Sequence, residues 1–244
     1  MQTKVLDRVF QPGNPHFVGD GFRVHNFIPS MVPMKKMSPF IMLDYNSKYN
    51  FPPSEIPKGV GVHPHRGFET VTIAYKGSVE HGDSSGGGGI IQEGDVQWMT
   101  AASGVLHKEF HETEWSKNGG IFQMVQLWVN LPAKDKMSTP KYQAITNAQI
   151  PKIPLENNAG HLELIAGNYK NDTGAASTFT PVHLINAHLN KGGTVNFDFP
   201  ANYNTALIII EGSVTINNQE LAKTDEFVYF KNESSLYGVV DHDA

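Results

Sequence analysis

The sequence predicts an all-β protein made of two similar halves, on three observations. Short runs rich in Val, Ile, Thr, Phe and Tyr recur, cut by Gly, Pro, Asn and Asp; examples are "TVTIAYKGSV", "DVQWMT", "FQMVQLWVNL", "LELIAG", "TVNFDF" and "EFVYF". No long stretch keeps a helical period, and the nearest approach, "NAQIPKIPL", is broken by its two prolines. The strand pattern also occurs twice. "IAYKGSV" from Ile73 resembles "IIIEGSV" from Ile208, which sets Gly77 opposite Gly212 at an offset of 135. "GDVQWM" around Asp95 resembles "TDEFVYF" around Asp225 at an offset of 130. Self-similarity at this period points to a duplicated β-barrel and not to a solenoid.

The chain has 244 residues, enough to bury one large core or two modest ones. Apolar residues make up 39% and charged residues 18%, the balance of an ordinary globular protein. The net charge of -5 and the lack of any Lys/Arg block argue against direct nucleic-acid binding. The longest aliphatic run, Ala206 to Ile210, is too short to span a bilayer. Without cysteine there are no disulfides, thiolate zinc sites, iron–sulfur clusters or cysteine nucleophiles.

Taken in order, the elements read as follows. "MQTKVLDRVF" carries charge with no apolar core after it, so it is not a secretory signal. The expected location is therefore cytoplasmic, where the N-x-[ST] triplets at Asn171 and Asn232 have no meaning. "GVGVHPHRGFETVTIAYKG" opens at a strand start or edge, because Pro64 cannot donate to a ladder. "SSGGGGIIQEGD" lacks G-K-[ST] and leads into a strand, so it is a hairpin loop and not a phosphate cradle. The polar segment from Leu131 to Asn158 carries four prolines and reads as a connector. The division expected is a first barrel over 1–131, a linker over 132–154 and a second barrel over 155–244. After Asp225 only nineteen residues remain, so the second barrel lacks its closing strand unless "KVLDRVF" fills that edge.

The histidines carry the chemistry. Residues two apart in a strand share a face, so an extended backbone aims His63, His65 and Glu69 to one side. About forty residues on, "GVLHKEFHE" sets His107 and Glu109 two apart in the same way. Two such pairs converging inside a small barrel offer imidazole nitrogens and carboxylate oxygen, which suit iron, nickel, copper, manganese or zinc. An H-x-H alone is usually a solvated pair; the second H-x-E in a strand-rich context is what favours a metal. Glu69 is open among three roles: a ligand, a group orienting a histidine, or a partner of Arg66. In the second copy the aligned positions are Asp198, Pro200, Asn204, Tyr237 and Val239, which cannot rebuild the set. One transition metal per chain is therefore expected.

At these residues the chain resembles a known family. H-x-H-x3-E followed by G-x2-H is similar to the cupin double motif, and "HPHRGFETVTIAYKGSVEHGDS…GDVQWMTAASGVLHKEF" resembles the pirin family over about residues 20 to 130. The resemblance implies a bicupin, two jelly-roll β-barrels with metal in the first only. It implies that His63, His65, His107 and Glu109 ligate iron, Fe(II), and that Glu69 does not. Some pirins resemble quercetinases, which cleave a flavonol ring with dioxygen; others are iron-dependent redox sensors that modulate transcription factors. Two functions follow: a dioxygenase on a flavonoid-like substrate with Glu109 as catalytic base, or an iron-sensing regulator that binds a protein partner. A monomer is expected in either case.

The remaining candidates take plainer readings. Glu80, His81 and Asp83 read as solvated or supporting groups at a turn, and His111 as part of the polar exit of its strand. His183 and His188, five apart with no carboxylate beside them in sequence, read as surface or core-edge residues. Trp98, Met99 and Trp128 fall in strands and read as core. No G-x-S-x-G occurs, so a hydrolase triad has no support.

Overall fold

The strand Phe68–Lys76 shows how the sequence builds the first half. Its residues Glu69 to Ala74 are all buried, because both faces of the strand are covered. Val71 and Ile73 pack outward into a large cluster with Val125, Leu127, Phe227 and Tyr229, while Ala74 packs inward with Phe122 and Met124. Three of these buried residues, Glu69, Thr70 and Thr72, are polar, so the strand does not read as a continuous apolar run.

A computed structural model describes residues 3–232 and the backbone of the strand Gly238–His242. In the first half, a seven-stranded antiparallel sheet runs in the order Lys141–Ile145, Val96–Thr100, Phe68–Lys76, Gly120–Asn130, Phe40–Phe51, Phe22–Ile28 and His16–Val18. Facing it is a four-stranded sheet in the order Gly59–His65, Val105–His111, Val79–Asp83 and Gly88–Ile91. The second half is built from Lys152–Pro154, Gly160–Ala166 and Leu184–Leu189, with a four-stranded sheet around Ser213–Ile216 and a three-stranded sheet around Phe227–Phe230. Its own core contains Leu162, Leu164, Val195, Ile216 and Val228. The architecture is that of an all-β bicupin.

The duplication is visible in backbone hydrogen bonds. Gly94 N–H donates to Ala74 O at 2.7 Å, and Asp225 N–H donates to Ile209 O at 2.7 Å. The return bonds, Ala74 to Asp95 and Ile209 to Glu226, match as well. Gly77 and Gly212 both have positive φ, 91° and 81°, at the same turn. The later offset is thus one residue longer than expected: Asp225, at φ 71°, stands where Gly94 stands, and Glu226 where Asp95 stands. The counterparts aligned to His107 and Glu109, at Tyr237 and Val239, lie outside the described residues and side chains.

Two pairings cut across the expected division. Leu6–Phe10 pairs with Phe227–Phe230, so the N-terminal segment does fill an edge of the second half. Lys4 Nζ reaches Tyr203 O at 2.6 Å, and Gln11 hydrogen-bonds Glu226. In the segment taken as linker, Lys141–Ile145 pairs with Val96–Thr100 and belongs to the first half's sheet. Lys152–Pro154 pairs with Gly160–Ala166 and belongs to the second. The prolines of this segment sit at strand ends and between pairings, where no ladder N–H is needed. Tyr45 OH bridges the halves, donating to Asp225 Oδ1 at 2.7 Å and accepting from Gln123 Nε2 at 2.7 Å.

Candidate metal centre

His63 and His65 lie on the strand Gly59–His65, and His107 and Glu109 on Val105–His111. The two strands are antiparallel neighbours, with His107 directly opposite His63. A register shift between His107 and Glu109 turns the strand, and Glu109 pairs across from His81 on its other neighbour, Val79–Asp83. The ring centroids of His63 and His107 are 4.2 Å apart, and those of His65 and His107 4.5 Å. His63, His65 and His107 present ligand atoms within 4.8 Å of one another; so do His81, His107 and Glu109. His107 is common to both triads.

Proton positions decide which of these histidines offers a free lone pair. His81 Nε2 lies 3.4 Å from Asp83 Oδ2, so that nitrogen carries the proton. Burial pushes the Asp83 carboxyl up, but hydrogen bonds from Ser85, Gly87 and His81 outweigh it and hold the group below its usual range, as an anion. His81 Nδ1 is then an acceptor, facing Gln97 Nε2 at 3.0 Å and His107 Nδ1 at 3.3 Å. His107 therefore donates from Nδ1 and leaves Nε2 with a bare lone pair. That Nε2 is buried with no hydrogen-bond partner. A buried nitrogen held bare costs stability unless something binds it, and a cation is the fitting occupant. His63 Nδ1 donates to Gly61 O at 2.8 Å, which frees its Nε2 in the same way. His81 has no free lone pair, so it positions His107.

The electrostatics agree. Burial first, then the neighbouring His65, His63 and His81, push His107 down to about 2. Burial, His63 and His81 push His65 down to about 4. Neutral imidazoles are the metal-binding form. Burial raises Glu109, against the opposing pull of His81 and of Gln126, whose Nε2 donates to both carboxylate oxygens at 3.3 and 3.0 Å.

Several expectations change. His63, His65 and Glu69 do not lie on one strand: Gly67, at φ 80°, breaks the chain between two sheets. Glu69 accepts from Thr100 Oγ1 at 2.8 Å, and Arg66 contacts Met137 instead of Glu69. His81 is buried on a central strand, not solvated at a turn. His111 is not a polar exit. Its Nε2 donates to Gly21 O at 2.8 Å, and its ring packs among Phe22, Phe51, Trp115 and Phe122. The polar residues after it start a short helix, Thr113–Asn118, capped by the Glu112 carboxylate. His188 does have a carboxylate partner, Glu163 at 3.2 Å. Trp98 and Met99 are core, as expected, whereas Trp128 stacks on Phe68 at 4.5 Å and meets the His65 ring at 5.1 Å, forming an aromatic wall at the centre. The signal for His81 was present in "HGD", an H-x-D like the H-x-E nearby, but the surrounding glycines hid the strand.

Two β-sandwich halves in one chain, with a buried imidazole and carboxylate cluster in the first, define a bicupin with a candidate metal centre. The Pirin family model matches residues 21–129. A Pseudomonas aeruginosa protein, provisionally named a quercetin 2,3-dioxygenase, is 45% identical over 88% of this chain and 75% of its own length. Pirin-1 of Arabidopsis thaliana is 37% identical over 80% of this chain and 62% of its own. A crystal structure titled quercetin 2,3-dioxygenase, from Acinetobacter baumannii, superposes with a TM-score of 0.89 at 43% identity, covering 99% of this chain and 88% of that one. The chain belongs to the pirin family. It spans less than two thirds of the plant relative's length.

Proposed function

We propose that this chain is a metal-dependent dioxygenase that opens the flavonol ring of quercetin-type substrates. One ion, Fe(II), would be held at the first half's centre by His63, His65, His107 and Glu109. The observation that carries this reading is the bare, buried Nε2 of His107 facing the rings of His63 and His65. Bound there, a ferrous ion supplies Lewis acidity and an electron path between dioxygen and the organic substrate.

The chain's own residues do the rest. Glu109 takes the proton of the substrate's 3-hydroxyl, since burial has raised its carboxyl toward the range where a base is effective. Gln126, donating to both oxygens, fixes the carboxylate's orientation before the proton arrives. The Phe68–Trp128 pair beside His65 gives a flat aromatic substrate a face to stack on. His81, tied to Asp83 and Gln97, holds His107 in its binding tautomer. Aerobic incubation of the iron-loaded protein with quercetin, read as loss of flavonol absorbance, tests the proposal. Turnover that disappears in Glu109→Gln is expected. No turnover in an iron-loaded wild type would overturn the enzyme in favour of the iron-sensing regulator.

A further inference from the structure

The second half holds a histidine–carboxylate cluster of its own, at none of the positions aligned with the first centre. Gly160–Ala166 is the middle strand of its sheet, flanked by Lys152–Pro154 and Leu184–Leu189. His161 and Glu163 are two apart on it, so they share a face. His188 lies directly across from His161, and Asn186 directly across from Glu163. The imidazoles of His161 and His188 stack face to face, centroids 4.6 Å apart and planes 6° from parallel. Glu163 Oε2 lies 3.2 Å from His188 Nε2. All three residues bring ligand atoms within 4.8 Å of one another.

From this we infer a second metal site, formed by His161, Glu163 and His188, that takes a borderline divalent cation such as zinc, cobalt, nickel or copper. Two nitrogens and one carboxylate oxygen, fixed by adjacent strands, form one face of a coordination shell. His188 is half exposed, so water fills the remaining positions.

Glu163 is built as an anion in place. It is 5% exposed, and hydrogen bonds hold it there: Asn147 Nδ2 to Oε1 at 3.1 Å and Asn186 Nδ2 to Oε2 at 3.4 Å. Asn186 is in turn fixed by Tyr75 OH, which donates to its Oδ1 at 2.8 Å from the metal-bearing half. The His188 bond above all, with those of Asn147 and Asn186, outweighs burial and keeps the carboxyl down to about 2. Burial and the neighbouring His188 keep His161 below the usual imidazole range, in its neutral form. The parallel stack is poor for two imidazolium ions, and each ring would tilt to aim its in-plane lone pair at a shared ion. Lys152 Nζ, 3.5 Å from Glu163 Oε1, takes the oxygen that His188 does not face. A cation at the site would replace the proton between His188 Nε2 and Glu163 Oε2, and would be weakened by the Lys152 charge.

The test counts zinc per chain by elemental analysis, after equilibration with zinc alone and gel filtration of the full chain. Wild type should carry close to two zinc ions. His188→Ala should carry close to one, and so should His161→Phe, which preserves ring stacking should the alanine variant misfold. His63→Ala should also drop by one, which marks the first centre separately. Lys152→Gln should retain zinc at a lower free concentration than wild type. A wild type that binds one ion, lost in His63→Ala, overturns the second site and leaves the first standing. Two ions in wild type with no loss in either His188→Ala or His161→Phe overturns it as well.

Discussion

At the scale of single residues, the two buried glutamates near the histidines have different work. Glu109 stands with His107 and His81, whereas Glu69 is fully buried on another sheet and bonded to Thr100. Glu109→Gln should therefore lower metal content and abolish flavonol loss. Glu69→Gln should keep the metal, because burial already raises Glu69 and a neutral amide suits its place. Elemental analysis of the two variants checks this; loss of metal in Glu69→Gln alone would reverse the assignment. The depressed histidines make a second prediction. Unfolded, His65 and His107 take protons near pH 6.5, but folded they resist down to about 4 and about 2. Between those limits the unfolded chain holds more protons, so the metal-free protein loses stability as pH falls below about 6.5, by about 1.4 kcal/mol per pH unit per histidine. Denaturant midpoints in chelator, flat from pH 7 to pH 5, would contradict this. That His63 and His65 share one face, and His107 and Glu109 another, was legible in sequence because strand parity is local. For His81 the sequence left a solvated and a supporting role open, because the choice depends on which strand lies beside Val105–His111.

At the scale of elements, the centre depends on how closely two strands approach. A Cβ on Gly59 would lie 2.2 Å from Glu109 O and 2.6 Å from Phe110 Cα, both backbone atoms that cannot yield without moving the strand. Gly59→Ala should force Gly59–His65 away from Val105–His111, costing about 1–3 kcal/mol and reducing metal content as His63 leaves His107. Urea unfolding and metal analysis on the same sample check both effects; an unchanged midpoint would show that the strands can part freely. Strand types were readable from composition, since Val, Ile and Thr runs between glycines need no distant information. Their partners were not. Gly67 marks a possible break in sequence, but only the structure shows that it redirects the chain from one sheet to the other. The pair His161 and His188 gave no local sign, for the same reason: cross-strand register brings them together.

At the scale of the whole molecule, the halves are not independent beads. The large cluster containing Ile73, Val125, Phe227 and Tyr229 joins them, and Leu6–Phe10 completes the second half from the other end of the chain. Removing residues 1–11 takes away that strand, the Lys4 bond to Tyr203 and the Gln11 bond to Glu226. The truncated protein should melt on the order of 10 °C lower while keeping the first centre's metal. Calorimetry with elemental analysis checks this, and an unchanged melting temperature would show the strand to be dispensable. The duplication was legible from the repeat, and "KVLDRVF" stood out as the segment that could fill an edge of the second half; its pairing with Phe227–Phe230 required the structure. That closure has a consequence for how the protein is made. A ribosome produces Leu6–Phe10 long before its partner Phe227–Phe230, so the earlier strand waits while the whole segment between them is translated. Meanwhile the strands of the first half's two facing sheets, from His16 to Ile145, are complete. The nascent chain can thus assemble its histidine cluster, and load its ion, before the second half has closed.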